Sequence, residues 1–345
     1  MQVGLPHHLK NFKLFFQFFD DVKGIAMKSR FLLGVVASAL LCFASSAEAQ
    51  YARQAMLPFE STNVSASDFL QGKKGTPVMI AGHLRLPKME GKQPVVVLMH
   101  GAPAVGGSEA QVDTWARALN EAGIGAFVVD SFSGRGVNSF ADLGKISPLV
   151  RVADAYGALN TLSKHPLVDS SKIAVMGFSH GGPSAIYSDV QRFQKMLGPD
   201  AKFAAHIGVY PICNVAYKDD AEVTSPLLLL HGAADDWVPS KNCKEYADRL
   251  TKAGKHVRYI EYPDAHHVFD APVFKQEMKF AQINSLRKCH FAESEGGIII
   301  NAESKQPTGP NDPCFEKGVT AAYNEAATKK AHEDVKAFLK GVFGS

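Results

Sequence analysis

Two periodicities divide the chain. Between Val78 and Pro87 apolar and polar residues alternate one by one, the pattern of a half-exposed antiparallel strand. Val95-Val96-Val97-Leu98-Met99 and Gly125-Ala126-Phe127-Val128-Val129-Asp130 are continuous apolar runs, which predict strands buried on both faces. Residues 173–178, 203–209, 226–230 and 257–262 add four more short strands. Helical spacing fills the gaps. Trp115, Leu119 and Ala122 share one face, and Val152, Ala155, Tyr156 and Leu159 share another within 148–163. Further helices are predicted over 241–253, 273–288 and 321–342, the last with Ala327, Ala331, Val335, Phe338 and Leu339 on its apolar side. Ser108 and Gln111 stand three apart, as in a capping box. Residues 50–75 are mixed and polar and predict an entry segment with a short strand at most. Strand and helix alternate throughout, so the expected architecture is α/β: one mostly parallel sheet with helices on both faces.

The stretch 173–182 joins pattern to chemistry. A β-branched, apolar run enters Gly177-Phe178-Ser179-His180-Gly181-Gly182, and a helix-compatible run follows from Pro183. Strand, sharp turn and helix in that order are what a nucleophilic serine requires, because the crowded turn tolerates little but glycine beside it. A helix-capping serine is the plain alternative for Ser179.

In an open parallel sheet the site lies beyond the carboxyl ends of the strands. Two other strand ends carry suitable groups. His231-Gly232-Ala233-Ala234-Asp235-Asp236-Trp237-Val238-Pro239 follows one strand, and Pro263-Asp264-Ala265-His266-His267-Val268-Phe269 follows the next. Serine, acid, histidine is the chain order of α/β-hydrolase triads. Spacing alone leaves Asp235 and Asp236 open as the acid, and His266 and His267 open as the base. His100 and His231 each close a strand before a glycine and read as supporting groups. His206 reads as a core histidine and Asp130 as a tie for loop backbone. Trp237 borders the acid loop, as packing or pocket wall. Arg135, between two glycines, is either a ligand for a substrate carboxylate or a solvated loop residue.

Composition adds a compartment. Met27-Lys28-Ser29-Arg30, an apolar run and Ala47-Glu48-Ala49 have the three parts of a secretory signal, with cleavage expected after Ala49. Residues 1–26 then precede a complete signal and read as an upstream extension, with translation starting at Met27. The apolar run is too short for a stable membrane anchor. Cys213, Cys243, Cys289 and Cys314 remain, an even number that in an exported chain reads as two disulfides. Three connectivities are possible, and the favoured one has Cys213–Cys243 tie the loop after one strand to the helix after the next. Cys289–Cys314 would staple a polar excursion. No Cys-x-x-Cys spacing points to a metal. A net charge of +3, with no basic run, argues against a nucleic-acid partner.

The motifs at 98–101, 128–132, 177–182, 232–239 and 262–269 together resemble the dienelactone hydrolase family of α/β-hydrolases. The resemblance covers about residues 78–285 and implies the α/β-hydrolase fold. The family's Gly-x-x-Asp-x-x-Val-Pro pattern assigns the acid to Asp235, and its His-x-Phe pattern assigns the base to His267. Founding members carry cysteine as nucleophile. Serine here points instead to the family's serine ester hydrolases, acting on a small-molecule ester without metal or organic cofactor. The His180 amide, directly after the nucleophile, and the Ala102 amide, after the strand ending at Met99, are the expected oxyanion donors. A peptidase on the same fold and a catalytically silent binding protein are the competing functions.

Overall fold

The computed structural model describes residues 53–102, 108–198 and 201–344. The signal segment, its cleavage site and residues 1–26 lie outside the described residues.

Eight strands form the main sheet: β1 (Arg53–Asn63), β2 (Thr76–Leu86), β3 (Gln93–Met99), β4 (Gly125–Asp130), β5 (Val168–Phe178), β6 (Ala205–Val209), β8 (Leu227–Gly232) and β9 (Val257–Tyr262), in the spatial order β1-β2-β4-β3-β5-β6-β8-β9. β1 and β2 pair antiparallel, as do β2 and β4. The remaining pairs from β4 to β9 are parallel. β7 (Val215–Ala216) stands outside this sheet. The helices are α1 (Ala66–Leu70), α2 (Ser108–Glu121), α3 (Val152–Leu162), α4 (Gly182–Ile186), α5 (Gln191–Leu197), α6 (Ser240–Lys252) and α7 (Glu325–Phe343).

The continuous apolar strands divide their side chains between two cores. Val95, Val97 and Met99 of β3 join one with α1, α3, α5 and α6, while Val96 and Leu98 join the other with α2 and α7. All five are fully buried. This explains why β3 shows no polar alternation: a strand with protein on both faces has no side for water. β2 alternates because it lies near the sheet margin, where its second face is partly wet.

Three expectations need correction. Residues 273–288 do not form a helix: Pro272–Phe274 is one short turn, and β10 (Met278–Ser285) is a strand paired antiparallel with β13 (Glu316–Ala321). A short apolar run suits either period, and the cross-chain partner decides. The polar entry segment holds an eleven-residue strand, β1, because β2 offers a full-length edge to pair with. Gln111 does not close a capping box. Its side chain turns inward to Asp270 (2.7 Å) and Tyr210.

Both expected disulfides are present, Cys213–Cys243 and Cys289–Cys314, each with a Cα–Cα distance of 5.0 Å. The excursion 289–314 holds β11 (Phe291–Glu293) and β12 (Ile299–Asn301), which with β7 form a three-stranded sheet. Among the described residues no helix is long and apolar enough to cross a membrane.

Candidate active site

Ser179 directly follows β5 and opens a one-turn 3₁₀ helix, Ser179–Gly181, that leads into α4. Its φ is +47°, a left-handed conformation that costs a non-glycine residue about 1–3 kcal/mol. The turn is compact enough to need its glycines. A Cβ at Gly177 would lie 2.1 Å from the Gly181 carbonyl oxygen, and one at Gly181 would lie 2.2 Å from that of Met99. The result is a half-buried serine held up from the backbone at the carboxyl edge of the sheet.

The acid and histidine loops meet beside it. A Cβ at Gly232 would lie 2.1 Å from the Ala265 carbonyl oxygen, so this glycine lets the two loops touch. Asp264 (φ +55°) and Val268 (φ +54°) flank the histidine pair in left-handed geometry. His267 Nε2 lies 2.9 Å from Ser179 Oγ, and His267 Nδ1 lies 2.7 Å from Asp235 Oδ2. The ring of His267 is sandwiched between Tyr210 (4.8 Å between centroids) and Trp237 (5.0 Å).

Asp235 is fixed on every side. Its Oδ1 accepts the backbone N–H groups of Trp237 (3.0 Å) and Val238 (2.8 Å). His231 Nε2 donates to the Val238 carbonyl at 2.7 Å and sits 3.3 Å from Asp235 Oδ2. Burial alone would raise the Asp235 carboxyl. The His267 ring beside it and the hydrogen bonds from His231 and His267 outweigh burial and hold it well below the usual carboxylate range.

The alternatives separate cleanly. Asp236 turns the other way and accepts the Thr320 amide (2.7 Å) and hydroxyl (2.9 Å), clamping β13. His267, not His266, spans Ser179 and Asp235. Asp130 receives the Phe132 and Ser133 amides at 2.9 Å each, as a loop tie should. His206 is buried and bonded to Ala185 O and Ser188 Oγ. His100 accepts the Ser131 amide through Nε2 (3.2 Å), and burial with the Arg151 charge lowers its pKa to about 3. Arg135 is neither solvated nor free for a substrate. Its side chain is 3% exposed and forks onto Asp154 at 2.7 and 3.1 Å.

Of the expected oxyanion donors, His180 is buried directly after Ser179. Gly101 packs against the serine, with an added Cβ 3.6 Å from Ser179 Cβ, and half-buried Ala102 follows it. The sequence reading missed two features. Tyr210, Gln111 and Trp115 converge on the buried Asp270 carboxylate, which ties α2 to the histidine loop. Arg151, fully buried, donates to His180 Nδ1 at 3.1 Å. Neither belongs to a motif, so only packing reveals them.

A largely apolar cavity of about 390 Å³ lies between the excursion and α4, with Leu149, Pro183 and Ile212 on one side and Phe291, Ile298 and Pro307 on the other.

The model of the dienelactone hydrolase family matches residues 80–343. The chain belongs to the dienelactone hydrolase family. It is a hydrolase acting on ester bonds. The chain is 24% identical over 204 residues to a probable 2-oxo-3-(5-oxofuran-2-ylidene)propanoate lactonase of Bradyrhizobium sp, over 54% of this chain and 77% of that one. It is 26% identical over 226 residues to acylamino-acid-releasing enzyme 2 of Oryza sativa subsp. japonica, over 52% of this chain but only 28% of that enzyme. The crystal structure of a dienelactone hydrolase-like promiscuous phosphotriesterase from metagenomic libraries superposes with a TM-score of 0.56 at 18% identity, over 84% of this chain and 98% of that one. At that identity the superposition speaks for the fold alone.

Proposed function

We propose that this family member is an exported serine esterase that cleaves carboxylic esters through Ser179, His267 and Asp235. The observation that carries the proposal is the unbroken contact chain from a half-exposed Ser179 Oγ through the His267 ring to a buried, ionised Asp235. His267 takes the Ser179 proton as Oγ bonds to the ester carbon, and the carbonyl electron pair moves onto its oxygen. The His180 and Ala102 amides receive that oxyanion. Collapse breaks the bond to the alcohol oxygen, which takes the proton from His267, leaving an acyl-serine. Water then repeats the sequence: His267 deprotonates it, the carboxylic acid leaves, and Ser179 regains its proton. Asp235 holds the imidazole in the tautomer that needs this order and offsets the imidazolium charge. The apolar cavity beside Pro183 takes the acyl chain.

Two disulfides and the composition of residues 27–49 support export, since such bridges persist in oxidising compartments. A fluorophosphonate probe tests the active-site assignment. Only an activated serine reacts, so one probe mass on the peptide holding Ser179 is the expected result. An unlabelled, folded protein would remove the esterase proposal.

A further inference from the structure

Two arginines sit near the nucleophile turn and are treated in opposite ways. Arg135 is saturated: besides Asp154 it reaches Asn63 Oδ1 (2.7 Å), Ser131 O (2.7 Å) and Thr62 O (3.0 Å). Arg151, at the start of α3, is completely buried and, among the described residues, forms no salt bridge, although the charges of Asp154 and Asp130 still act on it. Among the described residues its Nε and Nη2 have no hydrogen-bond partner. The nearby carboxylates are engaged elsewhere, Asp154 by Arg135 and Ser61, Asp130 by the Phe132 and Ser133 amides. What Arg151 does touch is the face of Phe132, 4.9 Å from the guanidinium carbon, and His180 Nδ1 at 3.1 Å.

A buried cation without a paired anion is costly, and such a group calls for an explanation in function. The contact to His180 supplies one. Arginine can only donate, so His180 must present a lone pair at Nδ1, which places its ring proton on Nε2. Burial, then the charges of Arg151 and His100, keep that ring neutral. The residue whose backbone N–H follows the nucleophile is therefore pinned by its own side chain, with a positive charge behind it that no described carboxylate contacts. In the resting enzyme Asp154 and Asp130 offset that charge only from beyond salt-bridge distance. An ester oxyanion at the His180 amide adds a further negative partner.

We infer that Arg151 is a positioning residue for the oxyanion hole, which fixes His180 and supplies a buried positive field that is more fully compensated in the tetrahedral intermediate. The inference rests on the reading of Ser179 as nucleophile. An interaction stronger in the transition state than in the ground state acts on kcat and leaves KM nearly alone. It must also strengthen binding of a boronic acid, whose adduct with serine is tetrahedral and anionic.

The test uses the oxidised protein with Arg151→Gln and Arg151→Lys, each checked for folding by thermal melting. Hydrolysis of p-nitrophenyl acetate and inhibition by butylboronic acid are measured in parallel. For Arg151→Gln we expect kcat to fall roughly 30- to 300-fold, KM to change less than about threefold, and boronate affinity to fall with kcat, as for loss of an electrostatic oxyanion contribution. Arg151→Lys keeps the charge and should retain at least about a tenth of kcat. A folded Arg151→Gln enzyme with kcat within threefold of wild type overturns the inference, as does a loss confined to KM with boronate affinity unchanged. If the Gln variant does not fold, the Lys variant decides: folded, with kcat down more than a hundredfold, it rules out charge as the carrier. Fluorophosphonate labelling of the unaltered protein separates the two levels. No label sinks the nucleophile assignment itself, while a label beside unaffected Arg151 variants sinks this inference alone.

Discussion

Asp235 and Asp236 are adjacent, chemically identical and used for different ends. Asp235 bonds to His267 Nδ1, and Asp236 holds Thr320. Asp235→Asn should therefore lower kcat by roughly 10³–10⁴, because the amide favours the wrong imidazole tautomer. Asp236→Asn should leave kcat within a few-fold and reduce stability by about 1–3 kcal/mol through the loosened clamp. Ester kinetics and urea unfolding of the two variants would show the split, and the reverse pattern would exchange their roles. The glycines differ in the same way. Gly181→Ala drives a Cβ to 2.2 Å from a backbone oxygen, whereas Gly101→Ala meets, among the described residues, nothing closer than 3.6 Å. Activity and soluble yield should collapse for the first and survive in the second. At this scale much was legible, because motif glycines and strand-end polar residues are dictated by local sterics. Arg151 and Asp270 were not. A buried charge is recognised only by what surrounds it, and its partners come from distant parts of the chain.

Among the elements, runs buried on both faces read directly from sequence, as β3, β4 and β8 illustrate. β10 did not, since its identity comes from pairing with β13, some thirty residues later in the chain. The tie matters to the site: Ser285 at the end of β10 donates to the Asp236 carbonyl at 2.6 Å, and Leu286 donates to that of Trp237 at 2.8 Å. The hairpin is thus fastened to the acid loop and holds Trp237 over His267. The excursion lies across the cavity from α4, so deleting residues 292–312 should shift preference along a series of p-nitrophenyl acetate, butyrate and octanoate. An unchanged series would make the excursion an ornament. Cys213–Cys243 closes a loop with a sequence separation of 30, for which the chain-entropy picture gives about 3–4 kcal/mol. Cys213→Ser paired with Cys243→Ser should lower Tm by roughly 5–6 °C for a protein of this size.

For the whole molecule, burial sets the acid limit of stability. His100, His180 and His332 all have their pKa values lowered, burial being the largest cause in each. The unfolded chain, with ordinary histidines near 6.5, takes up protons as pH falls that the native state does not. Stability is therefore complete above about pH 6.5 and drains below it, through about pH 3 for His100. Asp235 adds to the loss at still lower pH, because its lowered carboxyl stabilises the fold only while ionised. Calorimetry should find Tm lower by on the order of 5 °C or more at pH 4.5 than at pH 7.5, and a flat profile would contradict this. The proposed triad of His267, Asp235 and Ser179 comes from three loops that only the assembled sheet brings together. The most direct test of that assembly is hydrolysis of p-nitrophenyl acetate by the oxidised protein beside Ser179→Ala. The account predicts steady turnover with a burst of p-nitrophenol in the first, and a loss of at least about 10³-fold in the second. Equal rates in the two proteins would contradict it.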